Sequence, residues 1–87
     1  MRVLFHRRFI KHYRKCDQKQ QIQVDQRIDI FVRDPHAPIL RKHSLTGRHK
    51  GKQTIDITGD LRALYVYCSE DDTAVFVELD THSNLYG

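Results

Sequence analysis

Several things are scarce in this chain, and each scarcity excludes something. No apolar run approaches the roughly 20 residues that a bilayer-spanning helix needs. The longest early stretch, Val3-Leu4-Phe5, is cut at once by His6, Arg7 and Arg8, so it does not read as a signal peptide. Only two cysteines occur, Cys16 and Cys68, far apart and in no Cys-x-x-Cys pair. A secreted domain of this size usually carries several disulfides, so a reducing cytoplasm is the expected compartment. No Cys-x-x-Cys or His-x-x-x-His pair anchors a zinc site, and no metal is expected. Gly-x-x-x-x-Gly-Lys-Ser/Thr is missing, so the chain has no P-loop. Four glycines and two prolines among 87 residues, with 39% hydrophobic and 30% charged, fit neither a disordered nor a collagenous chain. Internal repeats and low-complexity segments are also absent. A single domain spanning 1–87 remains, with one small core and a site built on its surface rather than a deep cofactor cavity.

What is present is a divided charge. Residues 1–52 hold 14 Lys and Arg against 4 Asp and Glu, whereas residues 53–87 hold 1 against 7. The net charge of +4 therefore conceals a basic half suited to a polyanion or an acidic partner.

Periodicity divides the chain in the same way. Residues 2–6 read as a short opening strand. Phe9, Tyr13 and Cys16 then fall on one helical face, and Val24, Ile28, Phe31 and Val32 on another, predicting helices that end before Asp34-Pro35. From Gln53 the period becomes two. Ile55 and Ile57 alternate with Asp56, Thr58-Gly59-Asp60 signals a turn, and 61–68 and 74–80 read as further strands. The order β-α-α-β-β-β predicts an α+β domain, with a small, mostly antiparallel sheet covered on one face by an N-terminal helical hairpin. Function falls to the other face.

The candidate chemistry lies in histidines and cations. His43 and His49 bracket part of a basic loop, Arg41 to Lys52, that holds five Lys/Arg and two His in twelve positions. His82 follows the last strand, and imidazoles suit proton transfer near neutrality. Asp56 should face away from its isoleucine neighbours, toward solvent or a site. Asp60 sits in a turn where Asp is common for turn chemistry alone. Tyr65, Tyr67 and Tyr86 are candidate platforms for stacking bases, or core. Spacing alone leaves open whether the histidines converge.

The segments His43-Ser44-Leu45-Thr46-Gly47, Lys50-Gly51, Gly59-Asp60, Leu64-Tyr65 and the terminal Thr81-His82-Ser83-Asn84-Leu85-Tyr86-Gly87 together resemble YafQ-type toxins of the RelE/ParE superfamily of type II toxin–antitoxin systems. The match covers residues 43–87, and the terminal Thr-His-x-x-Leu-Tyr-Gly is its most specific part. The resemblance implies a RelE-like fold and a ribosome-dependent mRNA endonuclease that needs neither metal nor small-molecule cofactor. It also implies a cognate antitoxin protein as partner, alongside mRNA and the ribosome, and no membrane. His43, Asp60, His82 and Tyr86 fall at family site positions. Asp56 stands where a second histidine is usual, Ser44 where proline is, His49 where an aromatic is, and Gln53 where arginine is. The expected roles are His82 as general acid, His43 or Asp60 as base, Tyr86 as stacking ring, and Arg48, His49, Lys50, Lys52 and Arg62 around the phosphate. Two other readings stay open: a ParE-like toxin that inhibits gyrase by binding, and a catalytically degenerate basic RNA-binding module.

Overall fold

Asp17 divides the first half of the chain into two helices. Its backbone is extended, its carboxylate accepts the Gln20 N–H at 2.8 Å, and the Gln20 side chain accepts the Asp17 N–H at 3.2 Å. This reciprocal box satisfies two donors that a bare helix start would leave unpaired. In the computed structural model, which describes residues 1–86 with the exception of the Tyr86 side chain, the order is β1 (Arg2–Phe5), α1 (Arg7–Lys15), α2 (Gln18–Arg33), β2 (His43–Ser44), β3 (Gln53–Asp56), β4 (Leu61–Cys68), β5 (Thr73–Thr81) and α3 (His82–Tyr86). Single 3-10 turns lie at Pro38–Leu40 and Gly47–His49. Pro35 drives Asp34 into an extended conformation (φ −150°, ψ 92°), which ends α2 where the sequence implied.

The five strands form one sheet in the order β1-β5-β4-β3-β2. β1 runs parallel to β5, and every other neighbour is antiparallel. The α+β expectation therefore holds. Two short elements go beyond it: the two-residue β2 and the closing α3, where the sequence had offered only loop and tail.

The helical face of the sheet carries the main core. Phe9, Val24 and Phe31 come down from the helices onto Ile55, Ile57, Ala63, Tyr65, Ala74 and Phe76. Phe31 meets Tyr65 and Phe76 edge-on, with ring centroids 4.7 Å and 5.4 Å away. Tyr65 is thus core rather than a stacking platform, with its hydroxyl donating to Gln53 Oε1 at 2.9 Å. Tyr67 is exposed, and its hydroxyl donates to Asp72. On the opposite face a smaller cluster of Leu45, Leu64 and Leu85, with Val77 against it, seats the basic loop and α3 on the sheet. Among the described residues, no helix is long and apolar enough to cross a membrane.

Burial pushes the Tyr65 phenol up to about 12. An unfolded tyrosine titrates near 10, so the fold favours the neutral phenol. The stability that it contributes is complete below about pH 10 and is lost as pH rises toward 12. Thermal midpoints should fall across that window, and Tyr65→Phe should flatten the fall. A slope unchanged by the substitution would contradict this placement of the ring.

Candidate active site

The open face of the sheet is organised around one cross-strand pair. Asp56 on β3 lies opposite Arg62 on β4, and strand alternation turns both away from the main core. Arg62 Nε is 3.1 Å from Asp56 Oδ1, with both side chains largely shielded (14% and 9% exposed). Arg62 Nη1 donates to the carbonyls of Thr58 and Gly59, each at 3.1 Å. The Thr58 hydroxyl in turn accepts the backbone N–H of Asp60 and of Leu61. The β3–β4 turn and the guanidinium therefore fix each other.

A second arginine reaches the same carboxylate. Arg41 follows the Pro38–Leu40 turn with left-handed backbone (φ 47°, ψ 46°), and its Nε lies 3.6 Å from Asp56 Oδ2. Its carbonyl is 3.0 Å from Nδ1 of His43. A carbonyl can only accept, so this contact places the ring proton on Nδ1 and leaves the lone pair of the neutral imidazole on Nε2. His43 itself sits on β2, held opposite Thr54 of β3.

His82 arrives from the other side, as the first residue of α3. Its backbone N–H donates to the Asp60 carbonyl at 2.9 Å, and Thr81 Oγ1 accepts the Asn84 N–H at 3.2 Å in the manner of an N-cap. His43, Ser44, Leu45, Thr46, Arg62 and His82 line one open cleft of about 390 Å³. The structure thus brings together His43, Arg62 and His82, which spacing alone had left unconnected. Asp56 stands behind Arg62 and does not line the cleft. Asp60 holds His82 through its backbone while its own side chain is exposed on the turn. The Tyr86 side chain lies outside the described residues.

The remaining members of the basic loop go elsewhere. Arg48 Nη2 donates to the Leu85 carbonyl at 2.8 Å, and His49 Nε2 is 3.2 Å from the same oxygen. Carbonyls of a last helical turn lack intrahelical partners, and cations are favoured there. Arg48 and His49 therefore secure the end of α3. Lys50 is exposed, Lys52 is half-buried, and neither lines the cleft. Gly47 (φ 67°) and Gly51 (φ 88°) supply the left-handed turns that fold this loop back. Sequence reasoning saw Arg41 only as one cation in a basic run; its link to Asp56 depends on a left-handed backbone that no local signal announces. Among the described residues, no three His, Cys, Asp or Glu side chains gather to hold a metal ion.

A helical hairpin on a five-stranded, mostly antiparallel sheet, with a cleft on the other face, is the RelE/YafQ-type toxin fold. Among solved structures, YafQ from E. coli strain BL21(DE3) superposes with a TM-score of 0.81 at 16% identity over the whole of both chains. A YoeB/ParE toxin from Agrobacterium tumefaciens gives 0.78 at 18% identity, over 94% of this chain and 99% of that one. The archaeal RelE–RelB complex from Pyrococcus horikoshii OT3 gives 0.74 at 19% identity, over 92% of each chain. No protein-family model matches the chain, and no curated protein matches it in sequence.

Proposed function

We propose that this chain is the toxin of a type II toxin–antitoxin pair and that it cuts mRNA on the ribosome, in the cytoplasm, by metal-independent acid–base catalysis. The observation that carries this reading is the placement of His43, Arg62 and His82 around one cleft, with the His43 lone pair on Nε2. His43 Nε2 takes the proton of the ribose 2′-hydroxyl. The 2′-oxygen bonds to phosphorus, the P–O5′ bond breaks, and protonated His82 gives its proton to the departing O5′. The products are a 2′,3′-cyclic phosphate and a 5′-hydroxyl. Arg62 lies where it can offset the charge that develops on the phosphoryl oxygens. Tyr86 would stack on a base beside the cut, and Lys50 and Lys52 would attract the RNA backbone at longer range. Asp60 serves as the backbone anchor of His82, and base duty falls to His43.

A cognate antitoxin is the expected partner, as RelB is for RelE in the P. horikoshii complex. An apolar groove lined by Phe5, Phe9, Ile10, Val24, Ile28 and Val32 on the helical side offers a seat for the apolar face of an amphipathic segment. A gyrase-binding toxin would have no use for two imidazoles and an arginine in one cleft.

Induction of the wild-type chain in a bacterial host, with primer extension on a reporter transcript, tests the proposal. New ends should appear only while the message is translated. His82→Ala should lower their yield by roughly 10²–10⁴-fold, the usual contribution of one general acid or base. Growth arrest without new ends would move the reading to gyrase, and no effect from the wild type would leave a degenerate module.

A further inference from the structure

Asp56 is a largely buried carboxylate behind Arg62, and the proposed cleavage reaction gives it no step. Each of its oxygens is taken by a different arginine, Oδ1 by Arg62 and Oδ2 by Arg41, and the residue does not line the cleft. Resting on the nuclease reading, we infer that Asp56 is a positioning residue: it sets the Arg62 guanidinium as a fixed anchor for the phosphate and, through Arg41, steadies His43.

The donors of Arg62 are unequally engaged. A guanidinium has five N–H groups in one plane. Nε lies 3.1 Å from Asp56 Oδ1 in an ion pair, and Nη1 donates to the Thr58 and Gly59 carbonyls. The Nη2 pair has no protein partner among the described residues. Ion-paired to a carboxylate at Nε and hydrogen-bonded at Nη1 to two turn carbonyls, the guanidinium is restrained where Arg62 lines the cleft. Forked N–H groups match phosphate oxygens, which a freely rotating ammonium would meet only as a point charge. With two arginines on one carboxylate, the cluster keeps a net charge of about +1 toward an anion.

The second oxygen extends the same control to the base. Arg41 is otherwise exposed, and its left-handed backbone is a conformation seldom adopted by a residue with a side chain. The ion pair to Asp56 ties down the residue whose carbonyl holds His43 Nδ1–H. One carboxylate thereby sets the relation between phosphate anchor and proton acceptor.

The test compares wild type, Asp56→Asn, Arg62→Ala and the double variant, each checked for thermal midpoint. The probe is a 2′-deoxy oligonucleotide of mRNA sequence, which cannot be cut by 2′-hydroxyl attack. Asp56→Asn should weaken its binding by about 10- to 100-fold, the range equivalent to one charge-assisted hydrogen bond. The double variant should bind no more weakly than Arg62→Ala alone, because Asp56 acts through Arg62. In translating extract, Asp56→Asn should raise KM and lower kcat together and keep the shape of the pH–rate profile. Should Asp56→Asn fail to fold, Arg62→Lys keeps the charge without the fork and should weaken binding by a similar factor. Wild-type affinity in Asp56→Asn, or in Arg62→Lys where that variant stands in, would overturn the inference. So would a lost limb of the pH profile in Asp56→Asn, which would make Asp56 a proton-transfer group. Oligonucleotide binding by the wild type without any transcript cleavage would sink the nuclease reading and leave the anchor standing; no binding would sink both.

Discussion

Replacing Arg62 by alanine is expected to destabilise the folded chain by roughly 3 kcal/mol, and to remove cleavage with it. Removing one partner from a shielded ion pair costs about 3–5 kcal/mol, because the remaining charge keeps its desolvation penalty and loses its compensation. The lower end applies here, since Arg41 stays near Asp56 and its own side chain is exposed. The Thr58 and Gly59 carbonyls also lose their donor, so the turn that carries Asp60, and through it His82, loosens. A chain of this length has a total stability of roughly 4–13 kcal/mol, so the loss is a large fraction of the whole. Urea denaturation measures it. A change below about 0.5 kcal/mol, the usual size for an unremarkable surface position, would contradict the shielded geometry described for the pair.

Phe31→Ala should have an effect at least as large, on stability alone. Phe31 is 1% exposed and lies between Tyr65 and Phe76, so it joins α2 to both central strands. Phe→Ala in a packed core costs about 3–5 kcal/mol through lost transfer energy and the cavity left behind. The adjacent Val32 is 42% exposed and serves as a control, with an expected effect within about 0.5 kcal/mol for Val32→Ala. Equal urea midpoints for the two variants would mean that α2 docks on a different face.

The contrast between those neighbours was legible in the sequence in part. Val24, Ile28, Phe31 and Val32 define a stripe, but its edge could not be located without the strands that it covers. Strand 53–56 follows the alternation, which alone turned Asp56 away from Ile55 and Ile57, and 61–68 was legible from its composition. In 73–81 the face that alternation assigned to Val75, Val77 and Leu79 does not hold. A bulge in the pairing with β4 leaves Val77 extra, which puts Leu79 on the main core with Ala74 and Phe76 while Val77 packs on the opposite cluster. β2 and α3 were not legible, because elements of two and five residues are stabilised by what they dock against. β2 exists through its pairing with β3, and α3 through Leu85, whose side chain joins the Leu45–Leu64 cluster and whose carbonyl meets Arg48 and His49. For the same reason Arg48 and His49 read as phosphate ligands in the sequence: their acceptor belongs to a helix that the sequence did not announce. The meeting of His43 with His82 was suggested by the resemblance of the terminal motif and not by spacing, since 38 residues and three strands separate them.

The most direct measurement of the central claim is the chemistry of the cut ends. A reporter mRNA cleaved by the purified wild-type chain in a translating extract should carry a 2′,3′-cyclic phosphate upstream and a 5′-hydroxyl downstream, with both ends missing in His82→Ala. Ends bearing a 3′-hydroxyl and a 5′-phosphate would show that water rather than the ribose attacks phosphorus, and would contradict the roles given to His43 and His82.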